Sequence, residues 1–136
     1  MTPGLISVIV PCYNQGIYLK ETIQSALAST YRPLEIIIIN DGSTDNSLET
    51  AKELEVQHPE VRVLDQANAG VTKARNAGLT AAQGEYILPL DGDDLISATY
   101  IEKGMAILNA RPEVKVVYCQ AEKFSEAGHK PWKLKP

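Results

Sequence analysis

The chain has 136 residues, of which 44% are hydrophobic and 22% charged, and its formal net charge at neutral pH is -4. This length suits one domain, which can bury enough surface to fold without disulfides or a structural metal. The acidic balance argues against a nucleic-acid-binding protein and against binding to an anionic membrane, because both functions need a basic surface.

Predicted strands and helices alternate along the chain. Apolar, β-branched segments predict strands at residues 5–10, 34–40, 61–64, 86–90 and 114–118. Apolar stripes at helical spacing predict helices at residues 18–29, 45–56, 71–83 and 98–110. Strands that are apolar throughout are typical of a parallel sheet covered on both faces, and the alternation predicts right-handed βαβ units. The fold class is therefore α/β.

The helix predicted at 71–83 has alanine and glycine on its apolar face. These small residues, which include Gly78, let the helix lie close to a sheet, and Gly84 is placed to end it as the C′ residue. The alternation of elements stops after residue 120, so residues 121–136 are expected to form an irregular tail.

Polar residues follow each of the first four predicted strands. Ligands of parallel α/β sheets bind beyond the carboxyl ends of the strands, at the point where the strand order reverses. Polar, acidic or aromatic residues occupy the segments 11–16, 40–45, 66–70 and 91–94. Because these segments lie at the same edge of the sheet, the sequence predicts one binding site there.

Three carboxylates follow the fourth strand, and no lysine or arginine lies within several residues of them. Alternate residues of an extended strand point the same way, so Asp91 and Asp93 are expected to face one site, with Gly92 allowing close backbone approach. Two such carboxylates repel each other unless a proton or a cation lies between them. Oxygen ligands without His or Cys suit Mg²⁺ or Mn²⁺, and Mg²⁺ often takes substrate phosphates as further ligands. The alternative is a turn in which Asp94 caps the next helix.

Asp41 follows the second strand and begins a segment rich in oxygen-bearing side chains. A calcium-binding EF-hand loop is rejected, because Asn46 and Lys52 stand where that loop needs glycine and glutamate. One interpretation is a loop in which Ser43 or Asp45 caps the following helix. The other is that Asp41 accepts hydrogen bonds from the base or ribose of a ligand.

The remaining candidates are an aromatic turn after the first strand and a polar start to the third predicted helix. Tyr13 either packs against the next helix or offers its face to a planar base, with Asn14 steadying the loop. Lys73, Arg75 and Asn76 either face solvent or help to balance phosphate charge.

Taken together, these segments resemble the family 2 glycosyltransferases of the GT-A fold. The matching pieces occur in the family's order and spacing and cover nearly the whole chain up to about Tyr118. They are VIVPCYN (8–14), INDGSTD (39–45), NAG (68–70), ARNAG (74–78) and LDGDD (90–94). A lone DXD motif is weak support, whereas these ordered blocks together are strong. The resemblance implies a three-layer, Rossmann-like sheet in the order 3-2-1-4, mostly parallel, with helices on both faces, truncated relative to a complete GT-A domain.

The resemblance also implies a function, namely the inverting transfer of a sugar from a nucleotide diphosphate, often UDP, to an acceptor hydroxyl. By this likeness Tyr13 and Asp41 would hold the base, and Asp91 would contact the ribose or the donor sugar. Asp93 would bind a divalent metal, Mn²⁺ or Mg²⁺, that stabilises charge on the leaving diphosphate. Asp91 and Asp93 are thus the catalytic candidates. The wider donor-binding set is Pro11, Tyr13, Asn14, Asp41, Lys73, Arg75, Asn76, Asp91 and Gly92.

In the family, the base that deprotonates the acceptor lies further along the chain, in an acceptor-binding half. This sequence stops before such a half. We therefore expect residues 1–120 to form the nucleotide-sugar-binding half of a GT-A domain and residues 121–136 to lead toward the absent half. The isolated chain is expected to bind donor and metal but to transfer sugar poorly or not at all.

The expected partners are a nucleotide-sugar donor and a carbohydrate or lipid-linked acceptor. A truncated sheet could also expose an apolar edge and pair with a second copy. Two cysteines without paired spacing, Cys12 and Cys119, indicate a reducing, cytoplasmic location. Nothing in the sequence has the length of a membrane span, so association with the cytoplasmic face of a membrane would depend on segments outside this chain.

Other functions remain open at this point. A non-catalytic nucleotide or nucleotide-sugar-binding module would share every donor-side residue. A phosphatase of the haloacid dehalogenase type also has an Asp-x-Asp motif, but its nucleophile usually follows the first strand, where this chain has PCYN (11–14). A Rossmann dehydrogenase is disfavoured because the first turn lacks a GxGxxG motif. A domain that only mediates interactions would leave the polar strand ends unexplained.

Overall fold

The computed structural model describes residues 1–119, 121–125 and 128–132. The elements follow one another as β1 (Thr2–Cys12), α1 (Gly16–Leu27), β2 (Leu34–Asp41), α2 (Ser47–Gln57), β3 (Val61–Gln66), α3 (Val71–Ala81), β4 (Gly84–Pro89), α4 (Tyr100–Ala110), β5 (Ala121–Ser125) and β6 (Gly128–Trp132). The chain divides into two compact units, Met1–Ile101 and Glu102–Pro136. Across the described part of the chain, none of the helices is both long and apolar enough to cross a bilayer.

The main sheet has four parallel strands in the order β3-β2-β1-β4. β1 lies inside the sheet, with Ile6 opposite Leu34 of β2 on one side and opposite Tyr86 of β4 on the other. The chain runs outward from β1 through β2 to β3 and then adds β4 on the far side of β1. The strand order therefore reverses between β1 and β4, and the predicted α/β fold with the order 3-2-1-4 is confirmed.

Both faces of this sheet are buried along its two inner strands, β1 and β2. The four isoleucines at residues 36–39 of β2 are each 0% exposed, which requires cover on both sides because alternate side chains point to opposite faces. Ile37 and Ile39 pack with Ile9 of β1 and Ala74 of α3 in one cluster. α2 packs on β2 and β3 and also contacts α1, so these two helices cover the opposite face.

α3 lies close to the sheet because Gly78 has no side chain. A Cβ atom at Gly78 would lie 2.5 Å from Ile9 Cγ2 and 2.8 Å from Ile39 Cδ1. Both isoleucines are fully buried, and a close-packed core has no free volume into which they could move. The prediction that small residues bring this helix close to the sheet is confirmed.

Gly78→Ala is expected to lower the free energy of unfolding by about 1–3 kcal/mol, because the added methyl group overpacks the isoleucine layer. The matched control is Gly104→Ala in α4, where an added Cβ meets nothing within 4 Å. There the higher helix propensity of alanine should raise stability by about 0.5–1 kcal/mol. Chemical denaturation measures both changes, and equal effects at the two positions would contradict the close packing of α3.

β3 is an edge strand of the sheet, and one of its outward backbone groups is occupied by a side chain. The backbone N–H of Val63 donates a 2.7 Å hydrogen bond to the carboxylate of Glu55 on α2. This bond holds α2 against the strand that follows it and removes a free donor from the sheet edge.

The predicted strand at residues 114–118 is wrong, because this segment has no strand structure. Val116 and Tyr118 are 76% and 78% exposed. β-branched and aromatic residues favour a strand through packing on neighbouring strands, and within the described residues no strand pairs with this segment.

Two further predictions differ from the structure. Residues 121–136 are not wholly irregular, because β5 and β6 form an antiparallel pair. α3 ends at Ala81 with extended backbone at Ala82, so Gly84 begins β4 and does not end the helix. The rest of the predicted tail lies outside the described residues, at 126–127 and 133–136.

Candidate functional site

A cleft of about 530 Å³ opens at the carboxyl ends of β1 and β2, beside the segments that follow β3 and β4. Ligand pockets commonly have volumes of this order, and the cleft lies where the strand order reverses. The residues that line it are Pro11, Cys12, Tyr13, Gln15, Asp41, Asn68, Gly70, Val71, Ala74, Asp91 and Asp93. Segments that follow four different strands therefore meet at one place, as the sequence predicts.

Tyr13 stands on the turn between β1 and α1 and is 50% exposed. The next residue, Asn14, has left-handed backbone with φ 52°, which asparagine tolerates better than most residues. Its side-chain oxygen accepts hydrogen bonds from the backbone N–H groups of Thr44 (2.8 Å) and Asp45 (3.3 Å). Its own N–H donates to Ser43 Oγ at 3.0 Å. Asn14 thus steadies the turn, as predicted, from a position outside the lining of the cleft.

The loop after β2 also supplies hydrogen bonds to two helix N-termini. Asp45 Oδ2 accepts from the N–H of Gly16 at the start of α1 (3.0 Å), and its Oδ1 accepts from the N–H of Ser47 at the start of α2 (2.9 Å). Ser47 Oγ accepts from the N–H of Gln15 at 3.1 Å. Burial alone would raise the pKa of the Asp45 carboxyl, but hydrogen bonds from Ser47 and Gly16 favour its charged form and lower that pKa. Of the two predicted caps of α2, Asp45 and not Ser43 supplies the bond.

Asp41 is almost fully buried, at 3% exposure, and holds the loop between β3 and α3. Its Oδ1 accepts from Gln66 Nε2 (2.9 Å) and from the N–H of Ala69 (2.8 Å), and its Oδ2 accepts from the N–H of Gly70 (3.0 Å). The bond from Gln66, together with the backbone donors, outweighs burial and lowers the pKa of the Asp41 carboxyl. A carboxylate has about four acceptor positions, so about one position, on Oδ2, is left for a ligand.

The acidic residues after β4 form a turn and not an extended strand. β4 ends at Pro89, and the N–H of Asp94 donates to the carbonyl oxygen of Asp91 at 3.0 Å, which closes a four-residue turn. Asp91 and Asp93 both line the cleft, as predicted. The argument from the alternation of side chains along a strand is wrong, however, because these residues lie in a turn. The alternative role of Asp94 as a helix cap is also wrong, because α4 begins only at Tyr100.

Gly92 lies inside this turn and packs against the turn that follows β1. A Cβ atom there would lie 2.7 Å from Gln15 Oε1 and 3.3 Å from the carbonyl oxygen of Pro11. The carbonyl oxygen of Gly92 accepts a 3.0 Å hydrogen bond from Thr22 Oγ1 on α1. The close approach expected at Gly92 is thus made by Gln15, and it fixes the acidic turn against the end of β1.

Arg75 of α3 supplies the positive charge that the local sequence around the acidic turn lacks. Its guanidinium lies 3.0 Å from Asp91 Oδ1, and the two side chains are 44% and 45% exposed. An exposed pair of this kind contributes little to stability, typically under about 1 kcal/mol. Lys73 and Asn76 are exposed on the same helix, and neither they nor Arg75 belong to the lining of the cleft.

Negative charge is only partly balanced at this turn. Burial raises the pKa of the Asp94 carboxyl, and the neighbouring charges of Asp93 and Asp91 raise it further. Burial also raises the pKa of the Cys12 thiol at the end of β1. This thiol therefore lines the cleft in its uncharged form at physiological pH.

The oxygen donors at the turn suit a metal that brings most of its own ligands. Within the described residues, no group of three or more His, Cys, Asp or Glu side chains is arranged to hold a metal ion. Asp93 lines the cleft beside Asp91, whose carboxylate is already paired with Arg75. Mg²⁺ commonly binds through one or two carboxylates, with waters and substrate phosphates as the other ligands. The residues present therefore fit a hard divalent cation that arrives with a phosphate ligand.

Six lining residues are absent from the predicted site, namely Cys12, Gln15, Asn68, Gly70, Val71 and Ala74. Gln15 and Asn68 stand in the polar segments after β1 and β3, so their position at the strand ends could have identified them as residues of the site. Val71 and Ala74 belong to the apolar stripe of α3, and local sequence does not distinguish a cleft wall from the core.

Several known proteins similar to this chain are named glycosyltransferases. The sequence model described as Glycosyl transferase family 2 matches residues 7–136. The chain is 44% identical over 124 residues to the uncharacterized glycosyltransferase YibD of Escherichia coli, which covers 90% of this chain and 36% of that protein.

Two solved structures are similar to this chain in fold. One is S. aureus TarS 1-349 in complex with UDP-GlcNAc, with a TM-score of 0.72 and 29% identity over 77% of this chain and 31% of that chain. The other is the mannosyltransferase PcManGT from Pyrobaculum calidifontis in complex with GDP-Man and Mn²⁺, with a TM-score of 0.74 and 25% identity over 80% and 33% of the two chains. This chain thus spans about a third of the length of each of these three proteins.

Proposed function

Because this chain belongs to glycosyl transferase family 2, we propose that its cleft binds the nucleotide diphosphate of a sugar donor and that the whole protein transfers the sugar to an acceptor hydroxyl. The observation that carries the proposal is the convergence of Tyr13, Asp41 and Asp93 on one cleft at the reversal of strand order. The aromatic face of Tyr13 suits a planar base, and the buried acceptor Asp41 suits an N–H donor of that base. The exposed carboxylate of Asp93 suits a metal-bound diphosphate. The nucleotide sugars in the solved TarS and PcManGT complexes support this class of ligand.

The base is assigned to the part of the cleft between Tyr13 and Asp41. The half-exposed ring of Tyr13 can stack on a base, and such stacking contributes about 1–3 kcal/mol. Asp41 has about one acceptor position left after it binds the loop between β3 and α3. Uracil presents a single N–H on its pairing edge, whereas guanine presents adjacent N1–H and N2–H donors that need two acceptors. The single acceptor position left on Asp41 therefore favours a UDP-linked donor over a GDP-linked one.

The diphosphate and its metal are assigned to the acidic turn. Asp93 would hold Mn²⁺ or Mg²⁺, and the metal when bound would supply positive charge to the leaving diphosphate. Asp91, which is fixed by Arg75 at 3.0 Å, would contact the ribose or the donor sugar. Pro11 and Gly92 would shape the backbone around these groups, since Gly92 packs near the carbonyl oxygen of Pro11.

In the proposed reaction, the bond between the anomeric carbon and the diphosphate oxygen breaks. The acceptor oxygen bonds to the same carbon from the opposite face, which inverts its configuration, and the acceptor proton passes to a general base. Because this chain spans about a third of the length of YibD and of the solved TarS chain, we assign donor binding to it and transfer to the whole protein. Detection of product with the whole protein tests transfer; donor binding without product would favour a non-catalytic nucleotide-sugar-binding module.

Tyr13→Ala is expected to weaken the binding of UDP in the presence of Mn²⁺ by about tenfold, because the base loses its stacking surface. Titration calorimetry with UDP and GDP measures this loss and tests the expected preference for UDP. The matched control is Tyr18→Ala, which removes a tyrosine of similar exposure, 45% against 50%, from outside the cleft lining. Failure of the wild-type chain to bind either nucleotide would overturn the proposed function, and equal losses in the two variants would overturn the role of Tyr13.

A further inference from the structure

Three consecutive backbone N–H groups after Tyr13 are held by side chains of the loop that follows β2. The donors belong to Asn14, Gln15 and Gly16, and their acceptors, at 3.0–3.1 Å, are Ser43 Oγ, Ser47 Oγ and Asp45 Oδ2. In the opposite direction, the Asn14 side-chain oxygen accepts from the N–H groups of Thr44 and Asp45. We name these contacts between residues 14–16 and 43–47 the clasp.

On the side of the loop after β2, the clasp lies behind the cleft wall, whereas Gln15 on the other side lines the cleft. None of the residues 43–47 lines the cleft, so this loop can affect a ligand there only through the residues that it holds. Tyr13 directly precedes the anchored N–H groups, and half of its surface is exposed. Packing alone therefore does not fix the ring, and the clasp restricts the backbone that presents it.

Asp45 connects the clasp to the starts of both helices. Its carboxylate accepts hydrogen bonds from the first N–H of α1, that of Gly16, and from the first N–H of α2, that of Ser47. Its own backbone N–H donates to the side-chain oxygen of Asn14. A turn that is already ordered loses less conformational entropy when a ligand binds. Removal of the Asp45 carboxylate would free this turn without removing any atom from the lining of the cleft.

We propose that Asp45 is a positioning residue for donor binding, which acts by holding the turn that presents Tyr13 to the base. This inference rests on the proposed function, and it assigns to a residue outside the cleft a part in affinity for the nucleotide. Asp45→Ala is therefore expected to weaken UDP binding about threefold to tenfold.

The test is a double-mutant cycle measured by titration of UDP with Mn²⁺ into four proteins: wild type, Asp45→Ala, Tyr13→Ala and the double variant. If Asp45 acts through the tyrosine, its loss weakens binding in the wild-type background and changes it by less than about twofold in the Tyr13→Ala background. NMR titration to millimolar UDP keeps the weaker binding measurable. A general structural role for Asp45 would weaken binding equally in both backgrounds, and that result would overturn the inference.

Two further variants separate positioning from loss of stability. Arg32→Ala removes hydrogen bonds from the Arg32 guanidinium to carbonyl oxygens at the far end of α1, those of Leu27, Ser29 and Tyr31. It should lower stability while leaving UDP affinity within about twofold. Ser43→Ala removes one clasp bond and serves as the test should Asp45→Ala not fold; an unchanged UDP affinity in Ser43→Ala would then overturn the inference. Absence of UDP binding by the wild type would instead overturn the proposed function.

Discussion

Replacement of Asp93 by asparagine is expected to abolish the gain in UDP affinity that Mn²⁺ gives the wild-type chain, a loss of about tenfold to hundredfold. The reason is that Asp93 lines the cleft, whereas the neighbouring Asp91 is held in an ion pair by Arg75. A neutral amide is a poor ligand for a hard cation and leaves no charge to attract it. Titration calorimetry of UDP with and without Mn²⁺, at constant ionic strength, measures the effect.

The matched control for this substitution is Asp94→Asn. It removes the same charge from the same turn, but Asp94 lies outside the lining of the cleft and contributes to the turn through its backbone N–H. The Mn²⁺-dependent gain should persist within about threefold in this variant, because Asp94 does not line the cleft in which the metal would bind. An Asp93→Asn protein that kept the whole gain would remove the basis for a metal at this turn.

Asp41→Ala is expected to lower the free energy of unfolding by about 2–4 kcal/mol, because it leaves donors without an acceptor in a nearly buried place. These donors are Gln66 Nε2 and the N–H groups of Ala69 and Gly70. The loop between β3 and α3 would loosen, so UDP affinity should fall together with stability. Chemical denaturation and UDP titration of the same variant measure the two effects.

The stability difference between wild type and Asp41→Ala should also depend on pH. The pKa of Asp41 in the folded state lies below its ordinary value of 3.8, so the folded protein binds the proton less readily than the unfolded chain. The stabilisation is therefore fully present above pH 3.8 and is lost as the pH falls through the folded pKa. Asp45, whose pKa is also lowered, is present in both proteins and cancels in the comparison.

Asp65→Ala is the control for Asp41→Ala. Asp65 stands opposite Asn40 at the end of β3 and accepts one side-chain hydrogen bond from it, at 2.9 Å. Its loss should lower stability by about 1 kcal/mol or less. Comparable losses at the two aspartates would show that the bonds from the loop to Asp41 do not stabilise the fold as argued.

Most of the fold could be predicted because its signals are local. The ends of all four predicted helices lie within two residues of the ends in the structure. The reason is that the apolar periodicity of a helix can be detected in a short window of sequence. The four strands of the main sheet were found because each contains a short segment of mostly apolar, often β-branched residues. The strand predicted at 114–118 is wrong for a different reason. This segment has the composition of a strand, but a strand also needs a neighbouring strand to pair with, and composition does not reveal whether one is present.

The candidate site was less predictable because it depends on contacts between distant residues. The convergence of strand ends follows from the topology, so Tyr13, Asp41 and Asp93 were correctly expected at one edge of the sheet. The pairing of Arg75 with Asp91 spans 16 residues and cannot be seen from the neighbours of either. Likewise, the polar segment after β2 predicts a functional aspartate but not that most of the acceptor capacity of Asp41 is used to hold another loop.

The hydrogen bond from Val63 to Glu55 should hinder the addition of a strand from another molecule at β3. An incoming strand from another molecule would have to displace the Glu55 carboxylate from a 2.7 Å bond before it could extend the sheet at β3. A substitution such as Glu55→Ala, remote from the cleft, could therefore reduce solubility at high concentration without changing affinity for any ligand.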